Sequence, residues 1–554
     1  MSATLSGNGV RRTMRSELPA WLRRRISLST EALVLLVSIY FSCFSNGAFW
    51  RSVIVAPTLQ WRLAIALFII ITSVHALLLG LVVHRRYARP LLALLILVTA
   101  LATHYMSSYG VYLDSDMLRN VLHTDRKESS ELLSWRLLLP VLFSALPVAL
   151  LWRVDLRPRP WPRALRVRSG FVALMALAAA LAAFTCSRDL SSLIRNRREV
   201  RYLVTPANYM VSLARVLSSG SPGQRAPKIR IGEDARQAPA ASTHRPRLLV
   251  IVVGETARAA NWGLGGYARQ TTPELARLDV INFREVAACG SSTEVSLPCM
   301  FSPFGRHDYD QKKIRTHQSL LHVLEHAGIR TLWRDNQSGC KGVCEGLSME
   351  SMDAVRDPAL CRGDRCFDEI LLKDLAKRIP AGSGDRVVVL HQLGNHGPNY
   401  FERYPDAFRR YTPVCQSTDL GECDRASIIN AYDNALTYTD HVLARTIGTL
   451  DGMPGYDTAL IYLSDHGESL GEKGLFLHGM PYAIAPVEQT RVPMVMWFSP
   501  GFTASARLDV QCLRRESVRP ASHDNLFPSV LGLLDVRTAL YERDRDLFAA
   551  CRAR

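Results

Sequence analysis

Apolar residues run almost unbroken through five stretches in the first third of the chain, at roughly 28–46, 62–83, 90–109, 136–153 and 170–187. Each approaches the ~20 residues that an α-helix needs to cross a bilayer. Five such runs in one region argue for membrane spans rather than buried core helices. The first is too long, and too poorly followed by a cleavage site, to be a signal peptide. Arginines punctuate the runs. Arg11, Arg12, Arg15, Arg23, Arg24 and Arg25 precede the first; Arg85, Arg86 and Arg89 separate the second from the third. Arg153, Arg157, Arg159, Arg163, Arg166 and Arg168 separate the fourth from the fifth. The positive-inside rule places all three clusters in the cytoplasm, and an odd number of spans leaves everything after the fifth outside. In a bacterium that means an inner-membrane protein with its C-terminal part in the periplasm.

The loop of 110–135 is then also outside. Within it Asn120, Thr124 and Glu128 recur every fourth residue and share one face if the segment is helical. A solvated amphipathic helix has the same pattern. Residues 191–245 read as a connector, first amphipathic and arginine-rich, then rich in Pro, Gly, Ser and Ala. From 246 the pattern changes again. "RLLVIVV", "RVVVL", "TALIYL" and "VPMVMWF" are short apolar, β-branched runs typical of strands buried on both faces. Helical patterns separate them, which predicts a mostly parallel α/β sheet. The expected organisation is a five-helix membrane domain over 1–190, a connector over 191–245 and an α/β catalytic domain over 246–554.

Net charge and cysteines sharpen this picture. The charge of +17 fits an acidic membrane surface or an anionic substrate. No zinc-finger spacing, RNP motif or basic heptad region points to nucleic acid. Eight of the 12 cysteines form close pairs: Cys289 with Cys299, Cys340 with Cys344, Cys361 with Cys366, and Cys415 with Cys423. None has the two-residue spacer of a zinc knuckle, so disulfides fit better, and they imply an oxidising compartment. Cys512 and Cys551 are left as a further candidate pair.

Polar residues follow the strands at once: Glu255 after the first, His396 after the second, Asp465 and His466 after the third. Ligands of open α/β sheets bind at the carboxyl ends of the strands, and Glu, Asp and His are suitable zinc ligands. Singly, an acid after a strand is usually a cap or turn residue; "GET", "GNHGP", "SDHGES" and "HGM" together are harder to explain that way. The segment "ACGSSTEVSLPCMFS" supplies four hydroxyls, Ser291, Ser292, Thr293 and Ser296. A metal would lower the pKa of one of them, and a helix opening at Thr293 would offer amides to a phosphate. Elementary physics does not choose among the four.

The motifs "VVGETARAANWGLGGYARQTTPEL", "ACGSSTEVSLPCMFS", "CKGVC", "HQLGNHGPNYFERYP", "INAYDNAL" and "YLSDHGESLGEKGLFLHGMPYAIAP" occur in one order. Together they resemble the lipid A phosphoethanolamine transferases, which include the mobile colistin-resistance enzymes. The resemblance extends over the whole chain. It implies an alkaline-phosphatase-like, sulfatase-like catalytic domain. It implies a zinc held by Glu255, Thr293, Asp465 and His466, with Thr293 as the nucleophile that becomes phosphoethanolaminylated. It gives His396 and His478 contacts to the transferred phosphate or to a second zinc, and Lys341 a contact to substrate phosphate. Asn120, Thr124 and Glu128 would hold the phosphoethanolamine headgroup.

The implied partners are phosphatidylethanolamine as donor and lipid A, within lipopolysaccharide, as acceptor. A monomer is expected, and the implied outcome is polymyxin (colistin) resistance. Ser291, Glu294 and Gln337 depart from the pattern, and a carboxylate at Glu294 beside the nucleophile threatens to repel phosphate. Three rivals remain. One is the same chemistry on the lipopolysaccharide core or a periplasmic glucan. Another is a superfamily phosphatase or sulfatase-like hydrolase, although no C/S-x-P-x-R motif surrounds Thr293. The third, a non-catalytic membrane sensor, predicts loss of the zinc ligands, and all four positions are intact.

Overall fold

The computed structural model describes residues 25–54, 61–124, 126–218, 227–238, 245–363, 365–380, 382 and 384–553. Arg11, Arg12, Arg15, Arg23 and Arg24 lie outside the described residues, as does much of the expected linker before 245. The chain forms two compact units, one of Met1–Ser107 with Trp135–Val211 and the other of Ser108–Ser134 with Ser212–Arg554.

All five apolar stretches of the first unit are helical. They form α1 (Thr30–Phe44) with α2 (Gly47–Ile54), α3 (Trp61–Val82), α4 (Ala88–Tyr109), α7 (Leu138–Leu151) and α8 (Trp161–Thr185). Helices α3, α4 and α8 are long and apolar enough to cross a bilayer; α1 and α2 pass that test only as one span bent by 54°. At 14 residues and with Pro147 inside it, α7 reaches only about 21 Å at 1.5 Å per residue. The last stretch begins earlier than its apolar window, at Trp161. Gly80 of α3 sits where a Cβ would touch the Phe171 ring of α8 at 3.5 Å. Such small residues let apolar helices approach closely where burial from water no longer drives packing. Inside the unit the Thr72 hydroxyl donates to Ser42 Oγ at 2.9 Å.

The second unit is built on an eight-stranded sheet. Its strands are β1 (Arg247–Gly254), β2 (Ile281–Ala287), β3 (Arg330–Asp335), β4 (Met349–Ser351), β5 (Arg386–His391), β6 (Asp457–Ser464), β7 (Arg491–Phe498) and β8 (Ala521–Ser522), in the order β8-β2-β7-β6-β1-β5-β3-β4. Only β7 runs against the rest, antiparallel to both β6 and β2. Every residue of β1 and β6 is buried, as continuous apolar runs require. Alternate residues of β1 serve opposite cores. Leu249, Ile251 and Val253 face a layer with Phe527 and Val530, whereas Leu248, Val250 and Val252 face α12 (Arg425–Asp451) through Ile428, Tyr432 and Leu436. Truncating one of these leucines to Ala would cost about 2–5 kcal/mol.

Disulfides join all four expected pairs and also Cys512–Cys551; Cys43 and Cys186 are free. Residues 108–134 fold with this unit and not with the helices that flank them in sequence. They form α5 (Ser115–His123), capped by Asp114 Oδ1 accepting from Met117 N at 2.9 Å, and α6 (Arg126–Glu131). The chain turns extended at Thr124, φ −63° and ψ 130°. Asn120, Thr124 and Glu128 therefore do not share the face of one continuous helix. Thr124 instead ends α5, its hydroxyl donating to Asn120 O at 2.7 Å.

Candidate active site

Strand ends of β1 and β6 deliver Glu255, Asp465 and His466, all fully buried. The third strand-end residue named from sequence, His396, follows β5 and is half-buried. Thr293 opens α11 (Thr293–Met300), whose eight residues are all buried, behind Ser292 as its N-cap. The Thr293 hydroxyl lies 3.0 Å from Glu255 Oε2, 3.2 Å from Glu255 Oε1 and 3.2 Å from His466 Nε2. His466 Nε2 is 3.3 Å from Glu255 Oε1 and 3.4 Å from Asp465 Oδ2. The ligand atoms of Glu255, Asp465 and His466 all fall within 4.8 Å of one another.

The backbone around this cluster is held in uncommon conformations. Thr256 is left-handed, φ 60°. It is fixed by donation from its amide to Asp465 Oδ1 at 3.2 Å and from the Tyr432 hydroxyl to its carbonyl at 2.7 Å. Strain of this kind survives only where surrounding contacts over-determine it. Gly394, φ 53°, packs so closely that a Cβ would lie 2.6 Å from Glu255 O. No other residue fits there.

The donor set fits a divalent cation. His466 Nδ1 faces Gly467 O at 2.9 Å; carrying the proton there leaves the Nε2 lone pair for a metal, the usual way an outer hydrogen bond selects a tautomer. Asp465 Oδ1 accepts two amides, while its buried Oδ2, 3.4 Å from His466 Nε2, has no hydrogen-bond partner among the described residues. An unpartnered buried carboxylate oxygen is costly unless something cationic meets it. Burial, with the charge of Glu255, pushes the Asp465 carboxyl up to about 6. Burial opposes charge on His466, but Asp465 and Glu255 outweigh it and push the imidazole up to about 10. For Glu255, burial is overcome by the His466 hydrogen bond and charge, which hold its carboxyl well below the usual range. Oxygen and nitrogen ligands in this mix suit zinc.

A second potential cluster joins His466, Glu468 and His478. Its carboxylate is already engaged: Glu468 accepts from Tyr400 OH at 2.5 Å and from His478 Nδ1 at 2.8 Å. Glu468 thus positions His478, whose ring lies 4.3 Å from that of His466 and 5.5 Å from that of His396, centroid to centroid. Burial drives the His396 imidazole far below its ordinary pKa, and its Nδ1 has no hydrogen-bond partner among the described residues.

The hydroxyls left open by sequence separate here. Ser291 Oγ donates to Met480 O, and Ser296 Oγ donates to Asp465 O at 2.5 Å and meets His523 Nδ1 at 3.3 Å. Of Ser291, Thr293 and Ser296, Thr293 is the one whose hydroxyl is bonded to both Glu255 and His466; Thr256 Oγ1 also donates to Glu255 Oε1, at 2.6 Å. Glu294 is also resolved. Its Oε1 accepts from Arg315 Nη2 at 2.7 Å and from His123 Nδ1 of α5 at 2.9 Å. Burial favours its neutral form, but the His123 bond and the Arg315 charge hold the carboxyl down at about 2. The carboxylate next to the nucleophile is therefore neutralised locally. Lys341, within the Cys340–Cys344 loop, donates to Ser338 Oγ at 2.7 Å, and its charge also acts on Glu294. The side chain of Glu128 lies outside the described residues.

Sequence reasoning missed Glu468, His123, Arg315 and Tyr432. Glu468 had a signal, three residues after Asp465 in "SDHGES". The others act across 171, 21 and 176 residues of chain, beyond any spacing rule.

Comparison with known proteins gives the family of the chain. The sulfatase family model matches residues 247–536, and the model of phosphoethanolamine transferase EptA/EptB matches residues 71–220. The chain is 37% identical to phosphoethanolamine transferase EptA of Escherichia coli (strain K12), over 96% of this chain and 98% of that protein. It is 35% identical to phosphatidylethanolamine transferase Mcr-1 of Escherichia coli, over 97% and 100% respectively. The solved integral membrane lipooligosaccharide phosphoethanolamine transferase A (EptA) from Neisseria meningitidis superimposes with a TM-score of 0.89 at 35% identity, covering 96% of this chain and 100% of that one. A helical membrane unit followed by a sulfatase-like α/β unit, with relatives aligned end to end, places the chain in the EptA/Mcr family of phosphoethanolamine transferases.

Proposed function

We propose that this protein transfers phosphoethanolamine from phosphatidylethanolamine to phosphate groups of lipid A, with Thr293 as covalent carrier. The observation that supports this reading is the bonding of Thr293 Oγ1 to Glu255 and His466, while Ser291 and Ser296 spend their hydroxyls on backbone carbonyls. Glu255, Thr293, Asp465 and His466 would hold a zinc ion, which when bound lowers the pKa of a hydroxyl and neutralises charge on phosphoryl oxygens. Thr293 Oγ1 attacks the donor phosphorus as the bond to diacylglycerol breaks. An acceptor phosphate oxygen then attacks the same phosphorus and frees Thr293. His478, oriented by Glu468, is placed to hold or deliver the proton that diacylglycerol takes. His396 and Lys341 contact the transferred phosphate, and Asn120, Thr124 and Glu128 the ethanolamine headgroup. A second zinc at His396 and His478 is part of the same reading.

The protein would sit in the bacterial inner membrane through the apolar helices of its first unit, as a monomer, with the catalytic unit in the periplasm. The amine added to lipid A lowers its negative charge and so its attraction for polymyxins. The test is intact-mass analysis of the full chain in detergent after incubation with phosphatidylethanolamine, followed by peptide mapping. An adduct of phosphoethanolamine mass on Thr293 is expected; an adduct on Ser291, Ser292 or Ser296 would overturn the assignment. Lipid A of unchanged mass in membranes with an active enzyme would move the acceptor to the lipopolysaccharide core or a glucan.

A further inference from the structure

Beside the zinc ligands the second unit contains a cavity of about 620 Å³, and no residue assigned above to the donor lines it. Two arginine clusters form its walls. In the deeper one, Glu131 of α6 takes Arg365 Nε at 3.1 Å on one oxygen and Arg403 Nη2 at 2.5 Å on the other. Nearer solvent, Asp406 takes Arg362 Nη2 and Arg409 Nη2, each at 2.9 Å. One carboxylate shared by two guanidiniums leaves each cluster with a net charge of +1, and with Lys127, Asp368 and Glu402 the lining as a whole carries a formal charge of +1. The shared carboxylate also fixes the planes of both arginines, so little freedom is lost when an anion binds. Arg365 retains a buried Nη2 with no hydrogen-bond partner among the described residues. Asn399, only 5% exposed, donates from Nδ2 to Glu402 Oε2 at 3.0 Å and retains an Oδ1 with no hydrogen-bond partner among the described residues in the same cavity. A buried donor and a buried acceptor without partners are each costly unless a ligand meets them.

Backbone forms the wall between the cavity and the reacting centre. Its wall residue Gly394 packs against Glu255, and the next amide, Asn395 N, donates to Glu255 O at 3.0 Å. Arg403 Nε donates to His396 O at 2.6 Å. Lys127 and Ser130 of α6 complete the rim.

We propose that this cavity binds the acceptor, as a phosphate monoester carried on a sugar. The phosphate is taken by the guanidiniums of Arg365 and Arg362, and a sugar hydroxyl or amide donates to Asn399 Oδ1. Guanidinium forks match phosphate oxygens in pairs, and a cavity of this size accommodates a phosphorylated sugar. The assignment rests on the transfer reaction proposed above: the phosphate held here anchors the acceptor, and a different phosphate group of the same acceptor attacks the phosphorus carried by Thr293.

The experiment uses the full chain in detergent micelles and separates the two half-reactions. Diacylglycerol released from phosphatidylethanolamine without acceptor reads the first; transfer to titrated lipid A reads the second. Arg365→Ala should lower kcat/KM for lipid A about tenfold, the worth of one charge-assisted hydrogen bond. Diacylglycerol release should stay within about twofold. Arg362→Ala, at the exposed mouth, should lower it about threefold, and Arg365→Lys should recover part of the loss. Fluorescence anisotropy of labelled lipid A binding to the full chain should weaken by the same factors without any turnover. Unchanged lipid A kinetics and binding in both alanine variants would overturn the proposal. So would a parallel loss of diacylglycerol release, which would give the cavity to the donor. Wild-type protein that releases no diacylglycerol would refute the transfer reading, while the binding arm would still decide the cavity.

Discussion

Replacing Arg315 by alanine tests how the charge beside the nucleophile is managed. Glu294 is about 1% exposed, and among the described residues Arg315 is the only side chain bonded to it that carries a permanent charge; His123 is a cation only when protonated. Removing one partner of a buried ion pair costs about 3–5 kcal/mol, mostly because the other charge is stranded. Arg315 is 27% exposed and His123 remains, so about 3 kcal/mol is expected. At about 2.1 cal/mol/K of unfolding entropy per residue, that lowers the melting temperature of a unit this size by roughly 4 °C.

The assay is thermal unfolding of the full chain in detergent, run on wild type, Arg315→Ala, Glu294→Gln and the double variant. Adding Glu294→Gln to Arg315→Ala should recover more than half of the loss, since no stranded charge remains. The pH dependence has a defined sign. The folded pKa of Glu294, about 2, is below its ordinary 4.5. Its contribution is therefore fully present above about 4.5 and lost as pH falls toward 2. The gap between wild type and Glu294→Gln should thus stay level from pH 8 to pH 5. A double variant no more stable than Arg315→Ala, or a gap that closes between pH 7 and pH 6, would refute the reasoning.

Other outcomes follow from the same geometry. Thr293→Ala should abolish both the covalent adduct and transfer; Thr293→Ser should retain part of the activity, because the hydroxyl survives; mass spectrometry and lipid A transfer read both. Ser296→Ala should keep the nucleophile but lose the bond to Asp465 O, costing about 1 kcal/mol of stability in a thermal melt. Glu255→Ala and Asp465→Ala should each remove bound metal, measured by elemental analysis after dialysis, and chelation of the wild type should stop diacylglycerol release until zinc is returned. Expression in a sensitive strain should raise polymyxin tolerance, and Thr293→Ala should not.

What sequence made legible was local. The continuous apolar runs of β1 and β6 were readable because burial on both faces leaves no polar period, and Glu255, Asp465 and His466 because they follow those strands directly. A helix opening at Thr293 enters the sequence reading only as a condition for amide contacts to phosphate, and the structure opens α11 there. The choice among four hydroxyls was not readable, because it depends on which carbonyls Ser291 and Ser296 meet, at Met480 and Asp465. Nor was the neutralising of Glu294, since Arg315 and His123 come from separate elements. The reversal of β7 was hidden because an antiparallel strand buried on both faces has the same composition as a parallel one. The helical face proposed for Asn120, Thr124 and Glu128 failed on one extended residue, Thr124, which periodicity cannot register.

The catalytic unit is interrupted in sequence: residues 108–134 belong to it but precede the rest by a long stretch of helical membrane unit. During synthesis this piece emerges first, and Glu131 must wait for Arg403, 272 residues later. At roughly 5–20 residues per second the delay is roughly 15–55 s. A six-residue helix such as α6 is not stable alone for that time. The wall of the arginine cavity therefore closes among the last steps of folding, after ribosomal synthesis has passed Arg403. A chain truncated before that residue would present Glu131 with no partner from β5 onward.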